Sequence, residues 1–492
     1  MNVVILGDIG WQYLYHLGDE AMTEAAIDML RDRGVDEITL VAAQPAVAEA
    51  FYGLPCVTRV GFKSTWSRAG NNGHLSRLTD TLAGEIPEGT IFSAIRDCDS
   101  VLIAGGGNMN SRDYHLLYER LAAKRIAEHF GKPLYVTSQT VGPMLSEEDR
   151  DRVVEIADYA LAFGCREATT AALVRQHVSH ATRVHHTLDD ATVLTADPRS
   201  RAAVGQLAGN KPFVVASFTN HPGTIWPDDA TYYADIANAC ASIAGENDVD
   251  ILLAPHAGSL DPSQTSRDQD SNEIIASLAA TDRVRATRMI TAREDVALIE
   301  ASALSLSTRY HPTIFGPAAA TPTIGIAPSY YSSVRMRGSM RNVGLERFVL
   351  PTSSMHLLGE AAAEAIAKDR SLSTFLDTTR ERTHAFQHGW WNALAAAMVV
   401  AGEVDFADTL SPGMFLPQGD WSVTNETILP VFDDYAQSID RSGVLAAELD
   451  TQRAANAQLT TALNASQEAI ARYKSRKVVR VANWLGRLQP GR

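Results

Sequence analysis

An arginine and a histidine stand two residues apart where a short apolar run of the sequence ends. The run ALSLST leads into Arg309 and His311, and Pro312 follows directly. A guanidinium offers forked donors to a phosphate or carboxylate, and an imidazole gives or takes a proton near neutral pH. Because Pro312 suits the first position of a helix, we expect both side chains at the carboxyl end of a strand, beside a helix N-terminus. The pair is a candidate for anion binding and proton transfer, against the alternative of a structural histidine.

More arginines occur after two other apolar runs. Arg335, Arg337 and Arg341 lie in the segment SYYSSVRMRGSMRNVGLERF, which follows the run PTIGI. A basic cluster in an acidic protein indicates a small, highly anionic ligand, and a solvated basic loop is the alternative. Arg166, in AFGCRE, is a second candidate for a clamp on phosphate or carboxylate. Its neighbour Glu167 allows the other interpretation, a charge pair at the surface or at a domain contact.

A glycine run is the next candidate. Gly105, Gly106, Gly107 and Asn108 lie between the apolar run SVLI and a predicted helix. Glycines let the backbone approach a ligand, and free N–H groups at a helix start suit an anion. The run lacks the spacing of a dinucleotide fingerprint or of a phosphate loop with its lysine. A tight turn from strand to helix is therefore the alternative.

Two acidic segments complete the candidates. Gly18 and Asp19 open a strongly periodic helix, and at that position an N-cap is the favoured interpretation of Asp19. Asp189 and Asp190 lie near the expected domain junction. We expect one of them to brace a loop and the other to hold a sugar hydroxyl or to act as a base.

The elements that must position these residues are short apolar runs that alternate with helical patterns. NVVILG, EITLVAA, SVLIAGGG and PLYVTS do so in the first half, and PFVVASF, DILLAPH, ALSLST and PTIGI in the second. This alternation is typical of parallel, doubly wound sheets. We predict an α/β protein with two Rossmann-like domains, residues 1–205 and 206–405. Their cleft should hold the ligand, outside the carboxyl ends of the strands.

The C-terminal part follows another pattern. We predict an irregular linker over 406–440 and a coiled-coil and basic amphipathic tail over 441–492. Apolar residues at heptad spacing indicate a coiled coil, with a single helix packed on the body as the alternative. These residues are Leu445, Leu449, Leu459, Leu463 and Ile470, with Gln452, Asn456 and Ser466 between them. The basic end predicts contact with an anionic membrane surface, or else a disordered or partner-binding tail. Its basic residues are Arg472, Lys474, Arg476, Lys477, Arg480, Arg487 and Arg492, and its apolar ones are Val478, Val481, Trp484, Leu485 and Leu488.

Composition limits the class of protein. The 492 residues are 45% hydrophobic and 21% charged, the balance of a soluble globular protein too long for one core. A net charge of -15 argues against general binding of nucleic acid. No apolar stretch approaches the length of a membrane span, and the start MNVVILGDIG reads as a first strand, so we expect a cytoplasmic protein. The scattered cysteines Cys56, Cys98, Cys165 and Cys240 predict reduced thiols and no structural metal.

Taken in order, the motifs resemble those of the polysaccharide pyruvyl transferase family. They are GDEAM, VLIAGGG, SQTVGP, GCREAT, TLDDA and RYHPTIFGPAAATPTIGI, and the resemblance covers roughly Met1 to Phe348. It implies transfer of the carboxyethylidene group of phosphoenolpyruvate onto two hydroxyls of a sugar, which forms a pyruvate ketal. It also implies a two-domain scaffold like that of the GT-B glycosyltransferases. The chain differs from the family at His16, where asparagine is frequent, and at Val334-Arg335, where Lys-Val is frequent.

The resemblance agrees with the roles considered above. His311 is the candidate acid or base, Arg309 the candidate grip on phosphate or carboxylate, and Asp190 the third catalytic candidate. The candidate substrate-binding residues are Gly18, Asp19, Gly105, Gly106, Gly107, Asn108, Arg166 and Arg335. Phosphoenolpyruvate would be the donor, with no separate cofactor and no metal. A sugar, free or linked to a membrane lipid, would be the acceptor, and the C-terminal helix would add self-association and contact with the inner face of the membrane.

Two other functions stay open. One is a nucleotide-sugar glycosyltransferase of the same two-domain shape, in which the arginines hold a diphosphate. The other is an inactive glycan-associated or membrane-associated scaffold that depends on the coiled coil. We expect a catalyst to keep its turnover when the chain after Leu410 is deleted, whereas a scaffold should lose its function.

Overall fold

The N-terminal half of the chain forms a parallel sheet with helices on both faces. The structure is a computed structural model that describes residues 1–209, 211–223, 226–475 and 480–484. The strands of this half are β1 (Asn2–Leu6), β2 (Tyr15–His16), β3 (Glu37–Ala42), β4 (Cys56–Thr58), β5 (Ser100–Ile103), β6 (Gly106–Met109), β7 (Leu134–Val141), β8 (Ala162–Cys165) and β9 (Val184–His186). Its helices are α1 (Leu17–Arg31), α2 (Pro45–Tyr52), α3 (Arg68–Ser76), α4 (Leu78–Ala83), α5 (Ile91–Asp97), α6 (Tyr114–His129), α7 (Glu147–Tyr159) and α8 (Ala168–Arg175). The strand order is β4-β3-β1-β5-β7-β8-β9, with β6 paired to β7.

The second half repeats this plan. Its strands are β10 (Phe213–Ser217), β11 (Asp250–Leu253), β12 (Ala257–Gly258), β13 (Val284–Ala286), β14 (Leu304–Ser307), β15 (Thr323–Ala327) and β16 (Val349–Pro351). Its helices are α9 (Pro198–Ala208), α10 (Asp229–Asn247), α11 (Asp268–Leu278), α12 (Ala292–Ala301), α13 (Pro312–Ala318), α14 (Tyr330–Asn342), α15 (Leu358–Ala367) and α16 (Arg370–Val400). The sheet has the order β13-β11-β10-β14-β15-β16. The prediction of two doubly wound α/β domains is confirmed.

The central strands form because their residues are apolar on both faces. Every residue of β5, β7, β10 and β14 is buried, and parallel strands covered by helices on both sides have this continuous pattern. All pairings within the two sheets are parallel. The carboxyl ends of the strands in each domain therefore share one edge, which is where connecting loops can form a site.

The two domains are joined by more than the chain itself. β2 pairs antiparallel with β12 across the domains. α9, which contains the predicted boundary at residue 205, packs against α12 of the second domain. α16 returns to the first domain, where Trp390 Nε1 donates to Thr137 Oγ1 at 3.0 Å. The end of the second half is thus shared between the domains.

The C-terminal extension differs from the prediction of an irregular linker over 406–440. A helix, α17 (Asp420–Ser475), already begins within that segment. Trp421, Phe432 and Ala436 are buried, so this part of α17 belongs to the body of the protein.

Beyond residue 440, α17 leaves the body. The apolar residues at heptad spacing are 47% to 68% exposed, which excludes a helix packed on the body at these positions. Self-association through them stays a prediction. Arg476, Lys477, Val478, Leu485, Arg487, Leu488 and Arg492, which belong to the predicted basic tail, lie outside the described residues. No helix in the described ranges is long and apolar enough to cross a membrane.

Candidate functional site

The candidate site lies in a cleft of about 560 Å³ between the two domains. The first domain lines it with the loop after β1, the start of α1, β6 and the residue after β8. The second domain contributes the loops after β10, β11 and β14 and the first turns of α14. Most of these segments follow the carboxyl end of a parallel strand, as predicted from the sequence.

His311 lies where the sequence predicted it, between β14 and α13. It is the N-cap residue of α13, with Pro312 at the first helical position. The imidazole packs directly on Gly18, since a Cβ added there would overlap the ring. Its Nε2 has no hydrogen-bond partner among the described residues and lies 3.8 Å from Asp189 Oδ2.

The surroundings of His311 determine its protonation. Burial first, and then the positive charge of Arg166, hold the pKa of this imidazole well below its usual value. The ring is therefore neutral near pH 7. A neutral imidazole accepts a proton readily and donates one poorly, so the geometry favours the base over the acid.

Arg309 forms an ion pair with a buried carboxylate, that of Asp268. Its Nε donates to Asp268 Oδ2 at 2.9 Å, and Nη2 donates to Oδ1 of the same residue. Asp268 also accepts the backbone N–H groups of His256 and Ala257 at 3.1 and 3.0 Å. The Nη1 of Arg309 has no hydrogen bond to the described part of the chain, and the residue lines the cleft. Arg309 is thus a fixed donor whose charge is largely balanced.

Arg166 is buried, which excludes the interpretation as a surface pair. Its Nη1 donates to Asp189 Oδ2 at 2.6 Å, and its Nε lies 3.3 Å from Glu167 Oε1. The guanidinium lies 4.2 Å from the centre of the Tyr310 ring, on the other domain. Two carboxylates and an aromatic face hold Arg166 in place at the wall of the cleft.

Arg335 lines the cleft, and the carboxylates of Glu167 and Asp189 lie close enough to interact with its charge. Its guanidinium lies 3.9 Å from the centre of the Tyr331 ring and 5.1 Å from that of Tyr310. Within the described ranges it forms no ion pair, and its buried Nε has no hydrogen-bond partner. A Cβ added to Gly107 would lie 3.0 Å from Nη1 of Arg335 and 3.3 Å from Nη2 of Arg166. The absence of a side chain at Gly107 therefore lets the backbone approach both cations.

Asp19 lines the cleft but is not an N-cap. α1 begins at Leu17, so Asp19 lies in the first turn of the helix. Burial, and then the nearby carboxylate of Asp8, raise the pKa of Asp19 to about 7. A carboxyl group with this pKa is partly protonated at neutral pH and is able to donate a proton. Asn108, the predicted neighbour from the glycine run, also lines the cleft.

Several predicted residues do not reach the cleft. Gly105 and Gly106 do not line it, and β6, rather than a turn into a helix, follows Gly105. Asp190 is fully buried, with Oδ1 accepting from Thr137 Oγ1 at 3.1 Å and from Gln387 Nε2 at 2.9 Å. Its contacts are those of a residue that braces the domain, whereas the neighbouring Asp189 is the one that reaches Arg166.

The predicted basic cluster is also smaller than the sequence suggested. The segment is the helix α14 rather than a loop, and only Arg335 lines the cleft. Arg337 pairs with Glu346 at 2.8 Å and with Asp433 at 2.6 Å, and Arg341 donates to Glu346. A helix presents residues two apart to different sides, which explains the separation.

Other residues of the cleft were not predicted from the sequence. Asp8 lies two residues after the buried strand β1, which is a signal that was available. Tyr331 lies in the tyrosine-containing segment after PTIGI, but nothing local indicates its contact with Gly107, and Asp268 behind the cleft carries no local signal. Among the described residues no cluster of His, Cys, Asp and Glu is arranged to hold a metal ion.

Comparison with known proteins adds a family and a fold. The sequence model of the polysaccharide pyruvyl transferase family matches residues 16–330. A search of curated protein sequences finds no match.

Three solved structures that are similar to the chain show its fold. A putative UDP-N-acetylglucosamine 2-epimerase from Listeria monocytogenes superposes with a TM-score of 0.55 at 13% identity, over 84% of this chain and 99% of that one. S. aureus MnaA, in a structure with UDP, superposes with a TM-score of 0.54 at 12% identity, over 83% of this chain and 100% of that one. Anabaena HepE, in complex with UDP and glucose, superposes with a TM-score of 0.52 at 14% identity, over 82% of this chain and 100% of that one. At these identities the likeness establishes the fold alone, which is the two-domain GT-B arrangement.

Proposed function

The chain belongs to the polysaccharide pyruvyl transferase family, and from that membership we propose that it transfers the carboxyethylidene group of phosphoenolpyruvate onto two hydroxyls of a sugar. The sugar would be part of a cell-surface polysaccharide or glycolipid. The observation that supports this proposal best is the cluster of Arg335, which has no ion pair among the described residues, with Arg166, Gly107 and the neutral His311 at the cleft.

The donor has the charges that such a site would bind. Phosphoenolpyruvate carries a phosphate and a carboxylate on the two sides of one vinyl carbon. Arg335 of α14 and the free Nη1 of Arg309, in the loop after β14, offer donors from two elements of the second domain, and both kinds of anion accept them well. Arg166 is already bound to Asp189 and would position its neighbours. Arg335 is half-buried and makes no hydrogen bond to a carboxylate in the described ranges, so an anionic ligand would give its guanidinium a direct partner.

The proposed reaction begins with a proton on the methylene carbon of phosphoenolpyruvate. Asp19, with its raised pKa, is the donor of that proton, and positive charge then develops at the neighbouring carbon. One sugar hydroxyl forms a C–O bond there while His311 takes its proton. The bond from carbon to the phosphate oxygen breaks, the second hydroxyl adds, and its proton restores Asp19. The proton held by His311 leaves with phosphate, so one ketal and one hydrogen phosphate are formed.

The test is phosphate release from phosphoenolpyruvate in the presence of a panel of sugar acceptors. We expect acceptor-dependent release that the Arg309→Ala, His311→Ala double variant loses. In calorimetry, Arg335→Ala should weaken binding of phosphoenolpyruvate at least about tenfold, or about 1.4 kcal/mol. Arg341→Ala is the matched control, since it removes an arginine from the same helix outside the cleft and should change the affinity less than about twofold.

The opposite result would favour the second function. If UDP binds and Arg335→Ala weakens that binding, while phosphoenolpyruvate neither binds nor releases phosphate, the site is that of a nucleotide-sugar transferase. Equal affinities of the Arg335 and Arg341 variants for phosphoenolpyruvate would contradict the proposed donor site itself.

The partners of the C-terminal helix belong to the same proposal. Its exposed apolar residues at heptad spacing fit a second copy of the helix, and its basic end fits an anionic membrane. An acceptor carried on a membrane lipid would explain why a pyruvyl transferase has such a tail.

A further inference from the structure

A smaller cavity of about 200 Å³ lies beside the cleft and shares Trp11 and Leu14 with it. Five aromatic residues of the β1–β2 loop, β2 and α2 line it. We call it the aromatic pocket, with the rings of Trp11, Tyr13, Tyr15, Phe51 and Tyr52. None of these residues has a role in the donor chemistry described above.

The second domain closes the aromatic pocket. Ser259, Leu260 and Asp261, which follow β12, form its other wall. Since β12 pairs with β2, the two walls are fixed to one another by the same short sheet that joins the domains. The aromatic pocket therefore lies at the contact between the domains, beside the cleft with which it shares Trp11 and Leu14.

Two of its rings are unusually accessible. Tyr13 is 47% exposed and Phe51 39% exposed, although the Phe51 ring packs 5.5 Å from Tyr15 and 4.9 Å from Tyr52. Tyr13 has a φ of 62°, a left-handed conformation that a bulky side chain rarely adopts. Such conformations are held by the surrounding structure and occur often at ligand clamps.

Polar groups line the same pocket. The carboxyl group of the buried Glu20 accepts the backbone N–H of Gly10 at 3.1 Å and the hydroxyl of Tyr52. Asp261 and Ser259 lie on the opposite wall, where Ser259 Oγ accepts the Asp261 N–H at 3.1 Å. Asp261 is exposed and its Oδ1 already accepts from the N–H and the Oγ of Ser263, so it and the hydroxyl of Ser259 are able to pair with a ligand but do not require one.

This combination of rings and polar groups suits a sugar ring. A pyranose has a face of C–H bonds that packs on aromatic rings and a rim of hydroxyls that pairs with carboxyl and hydroxyl groups. An alkyl chain would cover the polar groups without pairing them, which is unfavourable. The cavity is smaller than the roughly 300–1,000 Å³ of pockets for drug-sized ligands, so it fits one ring.

We propose that the aromatic pocket binds the sugar residue next to the one that receives the pyruvyl group, so that the acceptor is at least a disaccharide. The proposal rests on the proposed function only in assigning the neighbouring cleft to the pyruvylated sugar. Trp11 and Leu14, which face both cavities, would contact the linkage between the two sugars.

The test measures binding of saccharides by saturation-transfer NMR, without any turnover. The probes are methyl β-glycosides of galactose, glucose and mannose, and lactose, cellobiose and β-1,4-mannobiose. We expect at least one disaccharide to bind at least about tenfold more tightly than the methyl glycosides of its two components.

Two variants test whether the higher affinity for the disaccharide comes from the aromatic pocket. Tyr13→Gly removes the exposed ring at a position where the left-handed backbone favours glycine, and Phe51→Ala removes the second ring. Each should reduce the advantage of that disaccharide at least about threefold. Tyr473→Ala, which removes an exposed ring on α17, should leave it unchanged.

Three results would overturn the proposal. The first is that no disaccharide binds better than its components. The second is an advantage that survives both pocket variants. The third is that octyl β-glucoside matches the best disaccharide and loses its advantage in the same variants, which would assign the pocket to an apolar aglycone. If the disaccharide advantage behaves as expected but phosphoenolpyruvate does not bind, the pocket stands and the proposed function fails.

Discussion

At the residue scale, the site holds ionisable groups whose protonation states depend chiefly on their burial. The pKa of Asp19 is raised to about 7 and that of His311 is lowered well below its usual value, in both cases chiefly by burial. Burial disfavours the charged form of either group, so the carboxyl keeps its proton longer and the imidazole loses its proton earlier. Near neutral pH the cleft thus holds an acid and a base with the protonation states that the proposed ketal formation needs.

This pair predicts the pH dependence of turnover. Asp19 loses its proton as the pH rises through about 7, so kcat should fall over that range, and because the pKa of His311 is lowered, its imidazole is not the group that titrates there. Asp19→Asn should lower kcat about 10²–10⁴-fold and abolish this fall. The measurement is kcat between pH 5 and 9.

A matched control for this experiment is Asp190→Asn. Burial, and then the charge of Asp189, also raise the pKa of Asp190 to about 7, but its side chain does not line the cleft. The Asp190 variant should keep the fall in kcat. If the fall disappears in Asp190→Asn and persists in Asp19→Asn, the assignment of the acid is wrong.

Individual residues could be predicted only where the sequence marks their place. Arg309 and His311 were recognisable because a buried strand and a proline bracket them. The partner of Arg309, Asp268, lies 41 residues away, and nothing in its own segment indicates the contact. For the same reason the sequence did not separate Asp189 from Asp190, since the difference lies in the 3₁₀ turn Asp190–Val193, which Asp189 caps while its carboxylate reaches Arg166.

At the element scale, the helix that carries Arg335 depends on the C-terminal extension. Asp433 of α17 accepts from Ser333 Oγ at 2.6 Å and pairs with Arg337 at 2.6 Å, both on α14. Gln437 Nε2 donates to the hydroxyl of Tyr330 at 3.1 Å. The first five turns or so of α17 therefore hold the start of α14 against the cleft.

Truncation should separate the two parts of α17. A chain that ends at Ser442 keeps these contacts and should retain turnover within about twofold, while losing any self-association measured by light scattering. A chain that ends at Leu410 exposes the surfaces covered by Trp421 and Phe432 and should lose turnover or solubility. Deletion after Leu410 thus does not distinguish a catalyst from a scaffold, contrary to the expectation from sequence.

A point substitution covers the case in which the shorter chain fails to fold. Asp433→Asn in the full chain should weaken binding of phosphoenolpyruvate about threefold or more through Arg335, and the exposed neighbour Asp434→Asn should not. Full turnover of the chain that ends at Leu410 would show that α17 has no part in the site.

Strands and helices could be predicted where their buried apolar residues follow a regular pattern in the sequence. The strands of both sheets are continuous apolar runs, and these were recognised. The start of α17 was not, because Pro430 lies inside the helix and proline normally marks a break. Contacts of Trp421, Phe432 and Ala436 with the body stabilise that stretch, and such tertiary contacts are not visible in local sequence.

At the scale of the whole molecule, the domain contact is rich in buried acidic groups. α1 carries Asp19, Glu20 and Glu24 in one stretch, and burial raises their pKa values to about 7, about 8 and about 7. Glu24 also pairs at 2.7 Å with Arg293 of the second domain. The closed arrangement of the two domains therefore keeps several carboxyl groups out of water.

These groups predict how stability changes with pH. In the unfolded chain a glutamate loses its proton near pH 4.5, whereas folded Glu20 keeps it until about pH 8. Between these values the folded state binds more protons, so the free energy of unfolding decreases as the pH rises. Thermal unfolding between pH 5 and 9 should show this decrease.

The variant Glu20→Gln should make this decrease in the free energy of unfolding smaller, by an amount on the order of a few kcal/mol at pH 9, because the amide has no proton to lose. Glu88→Gln, at an exposed position, should not change it, and a stability that rises from pH 6 to 9 would show that these carboxyl groups are charged in the folded protein.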